Sequence, residues 1–154
     1  MRKLITIPTW VIICFIVGLT ASYFQSEALN QWYPLLNRSS LTPPNIVFPI
    51  VWSILYLLMG ISSGLVTGTD YTDRRFIITI FIIQLILNFM WSMLFFYMHN
   101  PLWGLIDIIV LDLLVLLYII ITYRNHRTAS YLFIPYMVWL IMATYLNGYI
   151  YLHN

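Results

Sequence analysis

Five times along 154 residues the sequence stays apolar for about the length a helix needs to cross a lipid bilayer. The runs cover residues 6–24, 49–67, 76–98, 102–123 and 129–151. They are too long for barrel strands and do not alternate polar with apolar residues. The backbone must therefore satisfy its own hydrogen bonds as helices. With 62% hydrophobic and 8% charged residues, a water-soluble domain of this size could not hide its apolar surface. The sequence predicts an all-α integral membrane protein, a five-transmembrane-helix bundle forming one domain over residues 1–154. The first run follows Met1, Arg2 and Lys3, and small residues at 18–22 would suit a signal-peptide cleavage site. Its length and the four later spans favour a retained first helix.

The basic residues sort by side. Arg2, Lys3, Arg74, Arg75, Arg124 and Arg127 flank the spans on one side, and Arg38 stands alone on the other. The positive-inside rule then places the N-terminus in the cytoplasm and the long first loop outside. A net charge of +2 with no extended basic cluster argues against a nucleic-acid partner. A single cysteine, Cys14, leaves no internal disulfide to form. His99, His126 and His153 fall in loops or at the tail, so neither a metal centre nor haem ligation inside the bundle is expected. No phosphate loop, zinc motif or Ser/His/Asp set occurs, and no cofactor is implied.

The connections are short except the first. Residues 25–47 contain Trp32, Tyr33, Arg38, Pro43 and Pro44, a stiff aromatic segment that reads as a lid over a hydrophobic bundle. Pro49 and Pro101 suit helix starts, and Pro135 is expected to kink the fifth helix. At about 100° per residue, Trp52, Tyr56, Met59 and Ser63 share one face of the second span. Gln84, Asn88, Trp91, Ser92 and Phe95 cluster on the third, and Tyr136, Trp139, Ala143 and Asn147 on the fifth. Amides in lipid need partners, so Gln84, Asn88 and Asn147 should face the interior. They serve either as interhelical glue or as contacts in a pocket for a flat, mostly apolar molecule. Gly60, Gly64 and Gly68 allow close helix approach, within the bundle or between two copies. Asp107 and Asp112 lie inside the fourth span about 140° out of register, so they do not form a paired carboxylate site.

These residues in this order resemble the translocator protein family, called tryptophan-rich sensory proteins in bacteria and the peripheral benzodiazepine receptor in animals. The matching pieces are Trp32-Tyr33 with Pro43-Pro44, Phe48-Pro49-Ile50-Val51-Trp52 with Leu55-Tyr56 and Met59-Gly60, and Asn88-Phe89-Met90-Trp91-Ser92 with Phe95-Phe96. Pro135-Tyr136 with Trp139, and Ala143-Thr144 with Leu146-Asn147, complete the set. The resemblance implies a bacterial-type member in the cell membrane, a homodimer, and a pocket closed by the first loop that binds porphyrins such as protoporphyrin IX and drug-like molecules. By motif, Trp52, Tyr56, Asn88, Trp91, Trp139, Ala143 and Leu146 would line the pocket, with Trp32, Pro43 and Pro44 from the lid. For such a guest Arg38, alone on its side, reads either as a cation that pairs with a propionate at the mouth or as a simple loop charge or backbone clamp. The resemblance to bacterial members further implies degradation of the porphyrin in light and oxygen; Trp52 and Trp139 would then flank the macrocycle as radical-forming residues, or pack the pocket without redox work. A non-enzymatic tetrapyrrole receptor or stress sensor, or a small-molecule carrier, stands as the alternative. The cholesterol motif of animal members needs a Tyr followed by Arg or Lys. Here no Lys or Arg follows Tyr149, and Leu152 stands in the basic position, so sterol transport is not carried over.

Overall fold

The computed structural model describes residues 2–70 and 72–154. Five rods run through it, each long and apolar enough to cross a membrane. They are α1 (Arg2–Gln31), α2 (Val47–Thr67), α3 (Arg74–Ser92), α4 (Pro101–Asn125), and the pair α5 (Arg127–Tyr131) and α6 (Ile134–His153) that together form the fifth. The chain is an integral membrane helical bundle. Its outer face carries Leu19, Leu113, Val138 and Leu152 exposed on helices, a surface that water would not tolerate and lipid solvates.

The helix limits differ from the sequence reading in three places. First, α1 continues to Gln31, well past residue 24. The segment 25–31 is polar yet free of Pro and Gly, so nothing in it stops a helix. The lid is therefore shorter, residues 32–46, opened by a tight turn at Tyr33–Leu35. Second, α3 ends in one wide turn, Met93–Tyr97, in which the Met98 N–H reaches the Met93 carbonyl at 2.8 Å. His99 follows with φ of 52°, a left-handed residue at the reversal into α4. Third, Pro135 does not kink one continuous helix. The fifth rod breaks at Leu132 and Phe133, and Pro135 sits in the first turn of α6, where its missing N–H costs nothing.

Caps and small residues set the remaining geometry. Asn100 Oδ1 accepts the Trp103 N–H at 3.1 Å and starts α4 at Pro101. Gly60 and Gly64 let α1 lie directly on α2. A Cβ at Gly60 would stand 2.5 Å from the Val11 Cα, and one at Gly64 would fall on the Ile7 backbone. The close approach is bonded: Thr6 Oγ1 donates to the Gly64 carbonyl at 2.8 Å and Trp10 Nε1 to Thr67 Oγ1 at 2.9 Å. At the far end of these helices, Asp70 takes Arg2 at 2.6 Å and also Arg74. This anchors the start of α1 to the α2–α3 connection.

On the other side, Ser62 joins α2 to α4 and α5 through the Tyr118 hydroxyl at 2.9 Å and the Ala129 carbonyl at 2.7 Å. Thr144 of α6 donates to Asp112 of α4 at 2.8 Å. Phe81, Tyr118, Phe133 and Tyr136 fill the core between them. Every one of these polar groups gains a partner that lipid could not supply.

Candidate functional site

A cavity of about 470 Å³ opens between α1, α2, α3 and α6, beneath the lid. Its size is that of a small-molecule pocket. On α1 the wall is a helical stripe of small and polar residues, Gly18, Ala21, Ser22 and Gln25. Facing it are Phe48, Trp52 and Tyr56 of α2, Asn88, Trp91 and Phe95 from the α3 rod, and Ala143, Leu146, Asn147 and Ile150 of α6. α4 contributes nothing to the lining. No residue of the wall is charged.

Aromatic faces are held in place. Trp52 stacks on Tyr56 with ring centroids 5.5 Å apart, and Trp91 on Phe95 at 5.4 Å. Trp91 Nε1 donates to Asn147 Oδ1 at 3.0 Å, and the Asn147 amide in turn donates to the Pro101 carbonyl at 2.7 Å. Gln25 reaches Ser92 at 2.5 Å, joining α1 to α3 along the wall. At the floor, the Asn88 amide is shared between the Tyr56 and Tyr136 hydroxyls. Asn88 and Asn147 thus act as interhelical glue and as cavity wall at once.

The lid lies across the mouth and is tied to α6. Asn37 exchanges two hydrogen bonds with Asn154, at 2.8 and 3.2 Å, and Ser39 pairs with the Tyr145 hydroxyl at 3.1 Å. Tyr33 is buried against Phe96, and its ring carries the Arg38 guanidinium at 5.0 Å. Burial raises the Tyr33 phenol above its ordinary pKa, and Arg38 opposes that shift without cancelling it. A second, more open space of about 480 Å³ is lined by lid residues, among them Arg38, Pro43 and Pro44.

The structure therefore brings together Trp52, Tyr56, Asn88, Trp91, Ala143 and Leu146 on one cavity. It places Arg38, Pro43 and Pro44 on the lid's own pocket. Trp32 packs on Phe95 and His99, at 5.6 and 4.7 Å, and supports the wall from behind. Trp139 is off the cavity lining. Its ring meets Phe48 edge-on at 5.7 Å, and of these two rings it is Phe48 that lines the cavity. The α1 stripe is not among the lining residues the sequence points to, and Phe48 enters there only as part of a motif. The signal for the stripe was present: Gly18, Ala21, Ser22 and Gln25 recur at helical spacing. Gln84, fully buried, lies off the cavity and points its amide at Met59 Sδ, 3.9 Å away. Asp107 and Asp112, both on α4, also lie off the lining, and Asp112 accepts the Thr144 hydroxyl of α6. Among the described residues no three His, Cys, Asp or Glu side chains group to hold a metal ion.

Comparison with known proteins agrees with this architecture. The model of the TspO/MBR family matches residues 10–152. A tryptophan-rich protein TspO of Archaeoglobus fulgidus is 40% identical over 138 residues, covering 90% of each chain. Another, of Chlorobaculum tepidum, is 35% identical over 95% of this chain and 94% of its own. The human translocator protein is 31% identical over 87% of this chain and 79% of its own length.

Proposed function

The chain belongs to the TspO/MBR family, and from that premise we propose that it is a membrane receptor for planar, largely apolar molecules of the tetrapyrrole type. Protoporphyrin IX is the model guest, and drug-sized aromatic molecules are competitors for the same space. The observation that carries this is the uncharged cavity in which Trp52, Tyr56 and Trp91 meet the amides of Gln25, Asn88 and Asn147. Aromatic faces take a flat ring system, and a few fixed polar groups orient it. The test is a titration of protoporphyrin IX against tryptophan fluorescence in nanodiscs. Saturable quenching is expected for the native protein, with affinity lowered at least about tenfold by Ala143→Phe, which fills the cavity. Equal binding by Ala143→Phe would remove the cavity from the reading.

Light- and oxygen-dependent degradation is the finer reading. An electron would pass from Trp52 to the excited macrocycle, leaving an indole radical cation and a porphyrin radical anion, with dioxygen as the final oxidant. Trp52 is on the cavity and favours this step. Trp139 is one ring removed, which favours the second reading, a receptor that holds the pigment without consuming it. Aerobic illumination of the complex separates them. Degradation through Trp52 predicts slower loss of the porphyrin absorbance in Trp52→Phe than in Trp139→Phe. Equal loss in both variants and in the native protein leaves the receptor reading. The charge asymmetry of the loops supports a cytoplasmic N-terminus with the lid on the opposite face.

A further inference from the structure

We propose that the pocket lined by residues 36–45 is the anion subsite of the bundle cavity, where Arg38 receives a carboxylate arm of the guest whose apolar body stays among the aromatics. The inference rests on the cavity reading above and narrows the guest to planar apolar molecules with a flexible carboxylate side arm.

Charge gives the first reason. The cavity wall carries no charged residue. A carboxylate left there would lose its water without gaining a counter-ion, a costly state in a low-dielectric interior. An acidic guest must bring its carboxylate out of the cavity, toward a cation if one is near. Continuity gives the second. Asn45 lines both the bundle cavity and the lid pocket, so the two spaces adjoin at this residue.

The third reason is the state of Arg38. The sequence has no Asp or Glu between Glu27 and Asp70. Among the described residues the ion pairs are those of Asp70 with Arg2 and Arg74, at the opposite end of α2. Arg38 is half-buried, lines the lid pocket, and rests over the Tyr33 ring. The raised phenol of Tyr33 stays neutral near pH 7, so it orients the cation without neutralising it. The residues on either side of the cation's backbone, Asn37 and Ser39, are bonded to α6. Pro43 and Pro44 stiffen the return of the lid. A guanidinium held this way is prepared for a carboxylate, which it can bind through two parallel N–H···O bonds. The same fork would also take a lipid phosphate. The shared edge with the cavity assigns it to the guest.

The test compares protoporphyrin IX with its dimethyl ester, each titrated against the native protein, Arg38→Gln and Arg38→Lys in nanodiscs of neutral phosphatidylcholine. The native protein should prefer the free acid about tenfold, Arg38→Gln should bring the ratio near unity, and Arg38→Lys should keep part of it. Added salt should lower the preference. A native protein that binds acid and ester equally overturns the subsite, as does an Arg38→Gln variant with the native ratio. Repeating the native and Arg38→Gln titrations with anionic phosphatidylglycerol in the disc identifies the competing source. An acid preference that anionic lipid abolishes in the native protein, while the Arg38→Gln ratio is the same in both discs, assigns the pocket to phosphate headgroups and overturns the assignment. Failure of the cavity reading looks different: neither compound would give saturable quenching, or Ala143→Phe would bind both as the native protein does.

Discussion

The Tyr56 hydroxyl donates to Asn88 Oδ1 at 2.7 Å between two buried side chains. The same amide donates to the Tyr136 hydroxyl at 2.9 Å, so one residue ties α2, α3 and α6 at the cavity floor. Asn88→Leu removes the partner of both phenols. It should destabilise the bundle by about 1–3 kcal/mol, with Tyr56→Phe costing about half as much because it deletes one bond and strands one oxygen. Reversible unfolding in mixed micelles measures both. An Asn88→Leu protein as stable as Tyr56→Phe would show that the bond to Tyr136 adds nothing of its own.

Glycine substitutions should separate by what a Cβ would meet. Gly64→Ala places its methyl on the Ile7 backbone, which cannot step aside without parting α1 from α2. A loss of about 1–3 kcal/mol is expected, as for other overpacked sites. At Gly148 the nearest atom is Leu105 Cδ1 at 3.8 Å, ordinary contact distance. Gly148→Ala should therefore be neutral or stabilising by up to about 1 kcal/mol through lower chain entropy. The same unfolding measurement ranks them, and the reverse order would contradict the packing described for α1 and α2.

The lid is tied to α6 by Asn37 with Asn154 and by Ser39 with Tyr145. Ser39→Ala combined with Asn154→Ala should loosen it while leaving the cavity wall unchanged. Faster dissociation of bound porphyrin, by roughly three- to tenfold, is the expected effect, with a smaller change in association. Stopped-flow displacement reads it. Unchanged release would mean that the mouth is not covered by this segment during exchange.

Asp70 gives a pH dependence with a defined sign. Its hydrogen bond and charge interaction with Arg2, assisted by Arg74, hold its carboxyl below the ordinary carboxylate value in the folded protein. The folded form binds a proton less readily than the unfolded one. The stabilisation is thus fully present above the unfolded pKa of about 3.9 and is lost as pH falls through the lower folded value. The carboxylate is exposed, so the effect is small and screened by salt. Asp70→Asn should lower the midpoint of thermal unfolding slightly at pH 6–7, and the difference from the native protein should close as the pH approaches 3. A gap that widens on acidification would have the wrong sign.

Much of the architecture was readable from local patterns. Five apolar runs at bilayer length identify the five rods, and the glycine spacing on the second reports the contact with α1. The inward placement of Gln84, Asn88 and Asn147 follows from the cost of amides in lipid. Other features depend on what lies across the bundle. Trp139 shares its helix face with Ala143, yet Ala143 lines the cavity while the indole packs edge-on against Phe48 from α2. The break at Leu132 and Phe133 reflects a choice between kinking a helix and starting a new one, which Pro135 alone does not decide. The wide turn at Met93–Tyr97 has no propensity signature. The small residues near the end of the first span resemble a processing site in isolation and acquire their meaning only when the Tyr56 ring is found against Gly18.

α4 lends no side chain to the guest's chamber, although it anchors α6 through Asp112 and the α2–α5 corner through Tyr118. These α4 contacts hold the bundle from outside the cavity, whereas Asn88 and Asn147 hold it from within the wall. Exchanges such as Ser22 for a bulkier neighbour, or Ala143 for a larger one, can reshape what is admitted without disturbing those anchors. One membrane architecture can in this way be re-tailored to differently shaped pigments or metabolites by a few changes in the cavity wall.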